Sequence, residues 1–83
     1  MIFQIEWTKR GLEDLERLDK EIAQRIFKKV DNLRESFKSV DIKRVQGTNS
    51  FRLRIGDYRI IFEIQGDKIY ILKVGHRKNI YKF

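Results

Sequence analysis

Arg52, Arg54 and Arg59 are the residues of this 83-residue chain whose type and spacing point most directly to chemistry. A guanidinium is always charged, and its planar fork of donors matches the oxygens of a phosphate. Arg52 and Arg54 alternate with Phe51, Leu53 and Ile55, and Arg59 follows Gly56-Asp57. Period-two alternation reads as a half-buried strand, and Gly-Asp as a two-residue hairpin turn. With that turn, Ile55 pairs with Tyr58, Arg54 with Arg59, Leu53 with Ile60 and Arg52 with Ile61. Directly opposed side chains share a face. Phe51, Leu53, Ile55, Tyr58, Ile60, Phe62 and Ile64 then line one face of a sheet, and the three arginines line the other. Like charges opposed across a sheet are destabilising, yet no acid interrupts the trio. A solvated face with splayed arginines is one reading. A concave patch that binds phosphates is the other, and the one the pattern favours.

The elements that must hold this patch can be read outward from it. Gly66-Asp67 marks a second hairpin, pairing Ile64 with Ile69 and Phe62 with Ile71. Continued without a break, that register sets Val74 opposite Arg59 and His76 one step further on the arginine face. Upstream, Phe3, Ile5 and Trp7 alternate with polar residues in a first strand over residues 2–7. Thr8 is placed to cap a helix from about Lys9, with Leu12, Leu15 and Leu18 as its apolar stripe. Asp19 is placed to cap a second helix carrying Ile22, Ile26, Val30, Leu33 and Phe37. Residues 38–50 are polar and end in Gly47-Thr48-Asn49-Ser50, which reads as a loop. The predicted layout is β-α-α-β-β-β, an α+β fold in which a helical hairpin covers one face of a four-stranded antiparallel sheet.

Composition narrows the function classes. Hydrophobic residues make up 41% and charged residues 37%, which suits one small globular domain over residues 1–83. No apolar run reaches the ~18 residues of a membrane span. The start, Met1 to Trp7, lacks the basic opening and long apolar stretch of a signal peptide. The expected location is therefore cytoplasmic. With no cysteine and one histidine, disulfides and a structural zinc site are not expected. The net charge of +7 is unevenly spread: residues 1–41 balance nine basic against nine acidic side chains, whereas residues 42–83 carry ten basic and three acidic. An excess confined to one half and rich in arginine is the footprint of a polyanion site.

The stretch Phe51-Arg52-Leu53-Arg54-Ile55-Gly56-Asp57-Tyr58-Arg59-Ile60-Ile61-Phe62, with the tail Val74-Gly75-His76-Arg77-Lys78-Asn79-Ile80-Tyr81, resembles the RelE/ParE toxin superfamily. The resemblance spans essentially the whole chain, because the first strand and the helical hairpin also stand in the family's order. It implies a fold like that of small microbial ribonucleases and, for RelE-like members, cleavage of mRNA in the ribosomal A site. The implied reaction is attack by a ribose 2′-oxygen on the adjacent phosphate, which calls for neither a metal nor a cofactor. By position, Arg59 and Arg77 match the family's functional arginines, and Tyr81 matches its catalytic tyrosine. Arg52 and Arg54 stand where RelE-like members carry lysines, so the charge is kept but a titratable amine is lost. His76 stands where several members have a basic or imidazole side chain, and an ordinary histidine pKa of about 6.5 suits proton transfer. Lys43, Arg44 and Lys78 are expected to contact RNA at the rim. Trp7 is expected in the core.

The same resemblance implies a cognate antitoxin. The residues suggest its character: an acidic, amphipathic segment, disordered alone, that folds over the arginines and over apolar rim residues such as Ile61, Leu72 and Val74. The ribosome and mRNA are the other expected partners. A ParE-like poison of DNA gyrase, without nuclease activity, is the alternative the shared fold leaves open.

Overall fold

The computed structural model describes residues 2–35 and 41–80. Its elements are β1 (Gln4–Trp7), α1 (Lys9–Glu16), α2 (Lys20–Asp31), a 3-10 turn (Asn32–Arg34), β2 (Ile42–Arg44), β3 (Ser50–Ile55), β4 (Tyr58–Gln65) and β5 (Lys68–His76). They form a five-stranded sheet in the order β1-β5-β4-β3-β2. The expected α+β layout holds, with two corrections to the sheet. The first strand lies parallel to β5, with Ile5 beside Ile69 and Trp7 beside Ile71, so the sheet is mixed. The helical hairpin leads from β1 to β2 at the far edge of the sheet, which leaves β1 to pair with the last strand, β5. The stretch read as a loop also contains a fifth strand, Ile42–Arg44, antiparallel to β3. Three residues are too few to establish an alternating pattern.

Both hairpins fall as the sequence implies. Ile55 faces Tyr58, Arg54 faces Arg59, and Ile64 faces Ile69. Gly56 and Gly66 take φ values of 57° and 61°, and no other type of residue has positive φ among the described residues. Glycine first with positive φ is what a Gly-led primed turn requires.

Helices and sheet meet in a core of Leu15, Ile26, Val30 and Leu33 against Leu53, Ile55, Ile60, Phe62, Ile69, Ile71 and Val74. Phe3, Ile5 and Trp7 pack at its margin. Thr8 caps α1 as expected, its hydroxyl accepting from Gly11 N at 3.1 Å. Asp19 occupies the cap position of α2, but its carboxylate makes no capping hydrogen bond. The stripe of α1 is also rotated from the expected one. Gly11, Asp14 and Leu15 face inward, while Leu12 is 44% exposed. The cause is Gly11, where a β-carbon would overlap the carbonyl oxygen of Ile71. Only glycine lets the helix lie this close to β5. Phe37, expected on the second helix's stripe, lies outside the described residues. No helix among the described residues is long and apolar enough to cross a membrane.

Candidate nucleic-acid interface

The β3–β4 hairpin, extended by β2, builds the basic face. Pairing sets Arg54 opposite Arg59, Arg52 opposite Ile61 and Lys43 opposite Arg52. Together with Asp41 these side chains line a cleft of about 110 Å³. Lys43, expected at the rim, is thus part of the cluster itself. Four cations in so small a space would repel one another, and the structure shows how the repulsion is reduced. Arg54 Nη2 donates to Asp41 Oδ1 at 2.9 Å, and the Arg54 amide donates to the Asp41 carbonyl at 2.9 Å. An acid does therefore enter the arginine face. It comes from just before β2, in the stretch read as a loop, and this is why the pattern of the β3 and β4 strands does not reveal it.

Arg59 is held differently. Its Nη1 donates to the carbonyls of Gly56 and Tyr58 at 2.9 and 3.0 Å, which folds the guanidinium back over the hairpin turn. Arg77 reaches the same turn from β5: its amide donates to the Asp57 carbonyl at 2.8 Å, and its Nε lies 3.8 Å from Asp57 Oδ1. Both arginines thus converge on Gly56-Asp57, Arg59 from β4 and Arg77 from just past the end of β5. Their remaining donors are available to an anion above the turn.

The register of β5 corrects the expected position of His76. A bulge between Phe62 and Ile61 leaves Leu72 as the extra residue, so Val74 faces Ile60, Gly75 faces Arg59, and His76 faces Tyr58. His76 consequently stands on the helix side of the sheet and not on the arginine face. Its ring meets that of Tyr58 edge-on at 5.6 Å. Its Nδ1 accepts from the Lys78 amide at 3.2 Å, which leaves Nε2 to carry the proton of the neutral ring. The bulge was detectable in Ile71-Leu72-Lys73-Val74, where two apolar residues in succession break the period of two before Val74 resumes it. The same bulge gives Arg77 the parity of Arg59, which strict alternation denies it.

Arg44 lies on the other face from Lys43, where its guanidinium donates to Thr48 O and Asn49 Oδ1 at 3.1 and 3.3 Å. Lys78 is exposed in the turn after β5, and Ile80 is buried there against Gly75. Tyr81 lies outside the described residues. Two of the apolar residues expected at an open rim are covered, Ile61 at 8% and Val74 at 5% exposure. Exposed large apolar side chains lie instead at Ile2 and, on the helical hairpin, at Leu12 and Phe27, the last stacked on Trp7 with ring centroids 6.0 Å apart.

A family model described as the ParE toxin of a type II toxin-antitoxin system, parDE, matches residues 5–81. Toxin RelE3 of Methanocaldococcus jannaschii is 34% identical over 82 residues, covering 93% of each chain. Among solved structures, the toxin of the RelB-RelE antitoxin-toxin complex from Methanococcus jannaschii superposes with a TM-score of 0.72. It is 34% identical, with 90% of this chain and 93% of that chain covered. The RelBE2 toxin-antitoxin complex from Mycobacterium tuberculosis contains a chain with a TM-score of 0.79 at 23% identity, over 93% of this chain and 100% of that one, a likeness of fold alone.

Proposed function

This chain belongs to the RelE/ParE family of toxins of type II toxin-antitoxin systems, and on that premise we propose that it is a ribosome-dependent endoribonuclease that cuts mRNA in the A site. The observation that carries the reading is the cluster of Lys43, Arg52, Arg54 and Arg59 on the sheet face away from the helices, with Arg77 converging on the same hairpin turn. In the proposed step, the ribose 2′-oxygen forms a bond to the adjacent phosphorus as the bond to the 5′-oxygen breaks. A cyclic phosphate and a free 5′-hydroxyl result. A base takes the proton from the 2′-hydroxyl, and an acid returns one to the leaving oxygen. Arg59 and Arg77 supply donors to the phosphorane oxygens, with Arg52, Arg54 and Lys43 fixing the flanking phosphates. His76 faces the helix side, so the general-base role falls to Tyr81 in this reading. No step calls for a metal or a cofactor, because the nucleophile is the substrate's own.

The antitoxin in this proposal is an acidic, amphipathic segment that folds as it binds. Its apolar face fits the surface of Leu15, Ala23 and Phe27, and its acids fit Lys20 and Lys28 at the edge of that surface. A gyrase poison is the second reading, favoured by the family description that names ParE. Incubating the protein separately with programmed ribosomes, free mRNA, and gyrase plus supercoiled DNA distinguishes the two. Cleavage on the ribosome alone supports the nuclease. Trapped, broken DNA without RNA cleavage would replace it.

A further inference from the structure

Asp14 is a carboxylate on the inward side of α1, only 8% exposed, and the basic face does not involve it. Its Oδ2 accepts from the Val74 amide at 3.1 Å, and both its oxygens accept from Arg10 Nε, at 3.1 and 3.3 Å. Nearly two turns earlier, at the cap of the helix, the Thr8 amide and hydroxyl both donate to the Ile71 carbonyl, at 3.2 and 2.6 Å. The parallel strand β1 stops at Trp7, opposite Ile71. From there on, side chains of α1 and its cap take the place of a neighbouring strand. They grip β5 on both sides of its bulge, at Ile71 and at Val74.

These bonds are tied to the register. Along an unbroken strand, successive amides point to opposite edges, so an edge that holds the Ile71 carbonyl would next present the amide of Lys73. The Val74 amide can face α1 only because Leu72 is an extra residue. The acceptor on Asp14 thus fits the bulged register and no other. In the unbroken one, Val74 would face Arg59, and His76 would stand opposite Asp57, where Arg77 now stands. We infer that Asp14 is a positioning residue that selects the bulged register of β5, and so sets Arg77 in place of His76 beside the Gly56-Asp57 turn. Burial of Val74 favours the same register, so Asp14 acts together with the core. The consequence for cleavage rests on the nuclease reading above. The structural selection does not.

The test uses Asp14→Ala, Asp14→Asn and a deletion of Leu72, alone and combined with Asp14→Ala. Removing the acceptor of a buried amide shifts the register equilibrium by roughly 5- to 150-fold. Hydrogen exchange at Val74 in Asp14→Ala should accelerate by a factor in that range. Cross-strand NOEs of Arg59 should spread from Gly75 to Val74. Single-turnover cleavage should fall by the same fraction as the Arg59–Gly75 NOE intensity, with ribosome affinity unchanged. Asp14→Asn keeps a carbonyl acceptor and should restore all three. Deleting Leu72 leaves every native pairing in place without a bulge. In that background Asp14→Ala should leave both the NOEs and the cleavage rate unchanged, even where it lowers melting temperature. An equal loss of rate in both backgrounds would mark Asp14 as a packing residue only and overturn the inference. So would unchanged Val74 exchange and NOEs in Asp14→Ala. If Asp14→Ala alone does not fold, the combined variant and Asp14→Asn still decide. A wild-type protein that cuts no RNA would remove the nuclease reading, while the exchange and NOE measurements would still decide on the register.

Discussion

Substituting Arg59 by alanine should separate catalysis from stability, because the structure sets the two effects on different scales. The guanidinium gives two hydrogen bonds to the turn carbonyls of Gly56 and Tyr58, and it stands directly opposite Arg54. Side-chain bonds of this kind stabilise by about 0.5–1.5 kcal/mol each, and less where water competes. Relief of a cross-strand like-charge pair returns about 0.2–1 kcal/mol. The second offsets part of the first, so the net cost should stay near ~1 kcal/mol, which moves Tm by about 4–8 °C in a domain of this size. Loss of a preorganised donor to a developing oxyanion costs about 100- to 1,000-fold in rate. The assay is single-turnover cleavage on saturating programmed ribosomes, alongside thermal unfolding of the free protein. Arg59→Lys is the companion variant. It keeps the charge but loses the fork, and should recover binding more than rate. If the rate at saturation were intact and only ribosome affinity fell, Arg59 would be a binding residue and the mechanistic assignment wrong. A fall in Tm well beyond ~10 °C would instead show that the turn depends on it.

Cleavage on the ribosome should survive EDTA once ribosome integrity is controlled separately, since the nucleophile and the countercharges belong to substrate and arginines. Comparable cutting of naked mRNA would refute the ribosome dependence. Gly11→Ala should destabilise the domain by about 1–3 kcal/mol, because its new methyl group meets the backbone of Ile71 and not a side chain that can move away. A denaturation midpoint equal to the wild type's would show that α1 can lift away freely. Calorimetric titration with the cognate antitoxin should show binding that weakens with salt but persists, since exposed ion pairs contribute only about 0–1 kcal/mol each. Phe27→Glu should weaken it at every salt concentration. An unchanged affinity would move the docking site off the helical hairpin.

How far the sequence leads depends on how local the signal is. The β3–β4 hairpin, its register and the opposition of Arg54 and Arg59 follow from a glycine-led turn and strict alternation, both confined to a dozen residues. The helices follow from apolar spacing, but their rotation does not. Leu12 points outward because Gly11 must lie against β5, and the bareness of a glycine is a signal only once its neighbour is known. The parallel pairing of β1 and the three-residue β2 are tertiary outcomes, to which periodicity is blind. The position of His76 was misplaced by one residue through a bulge, which is enough to turn a side chain through the sheet. Asp41 and Asp14 were missed for different reasons. Asp41 meets Arg54 across 13 positions, whereas Asp14 shares the inward side of α1 with Gly11 and Leu15, and a carboxylate on that side is itself a hint of a buried partner.

The two rims of the sheet are the three-residue β2 and the four-residue β1, and where β1 ends, Thr8 and Asp14 occupy the edge of β5. Long, unpaired rims invite other chains to add strands, the usual beginning of fibrous association. Among the described residues this domain offers only brief ladders at either side. Rims this short give an incoming strand few backbone groups to pair with.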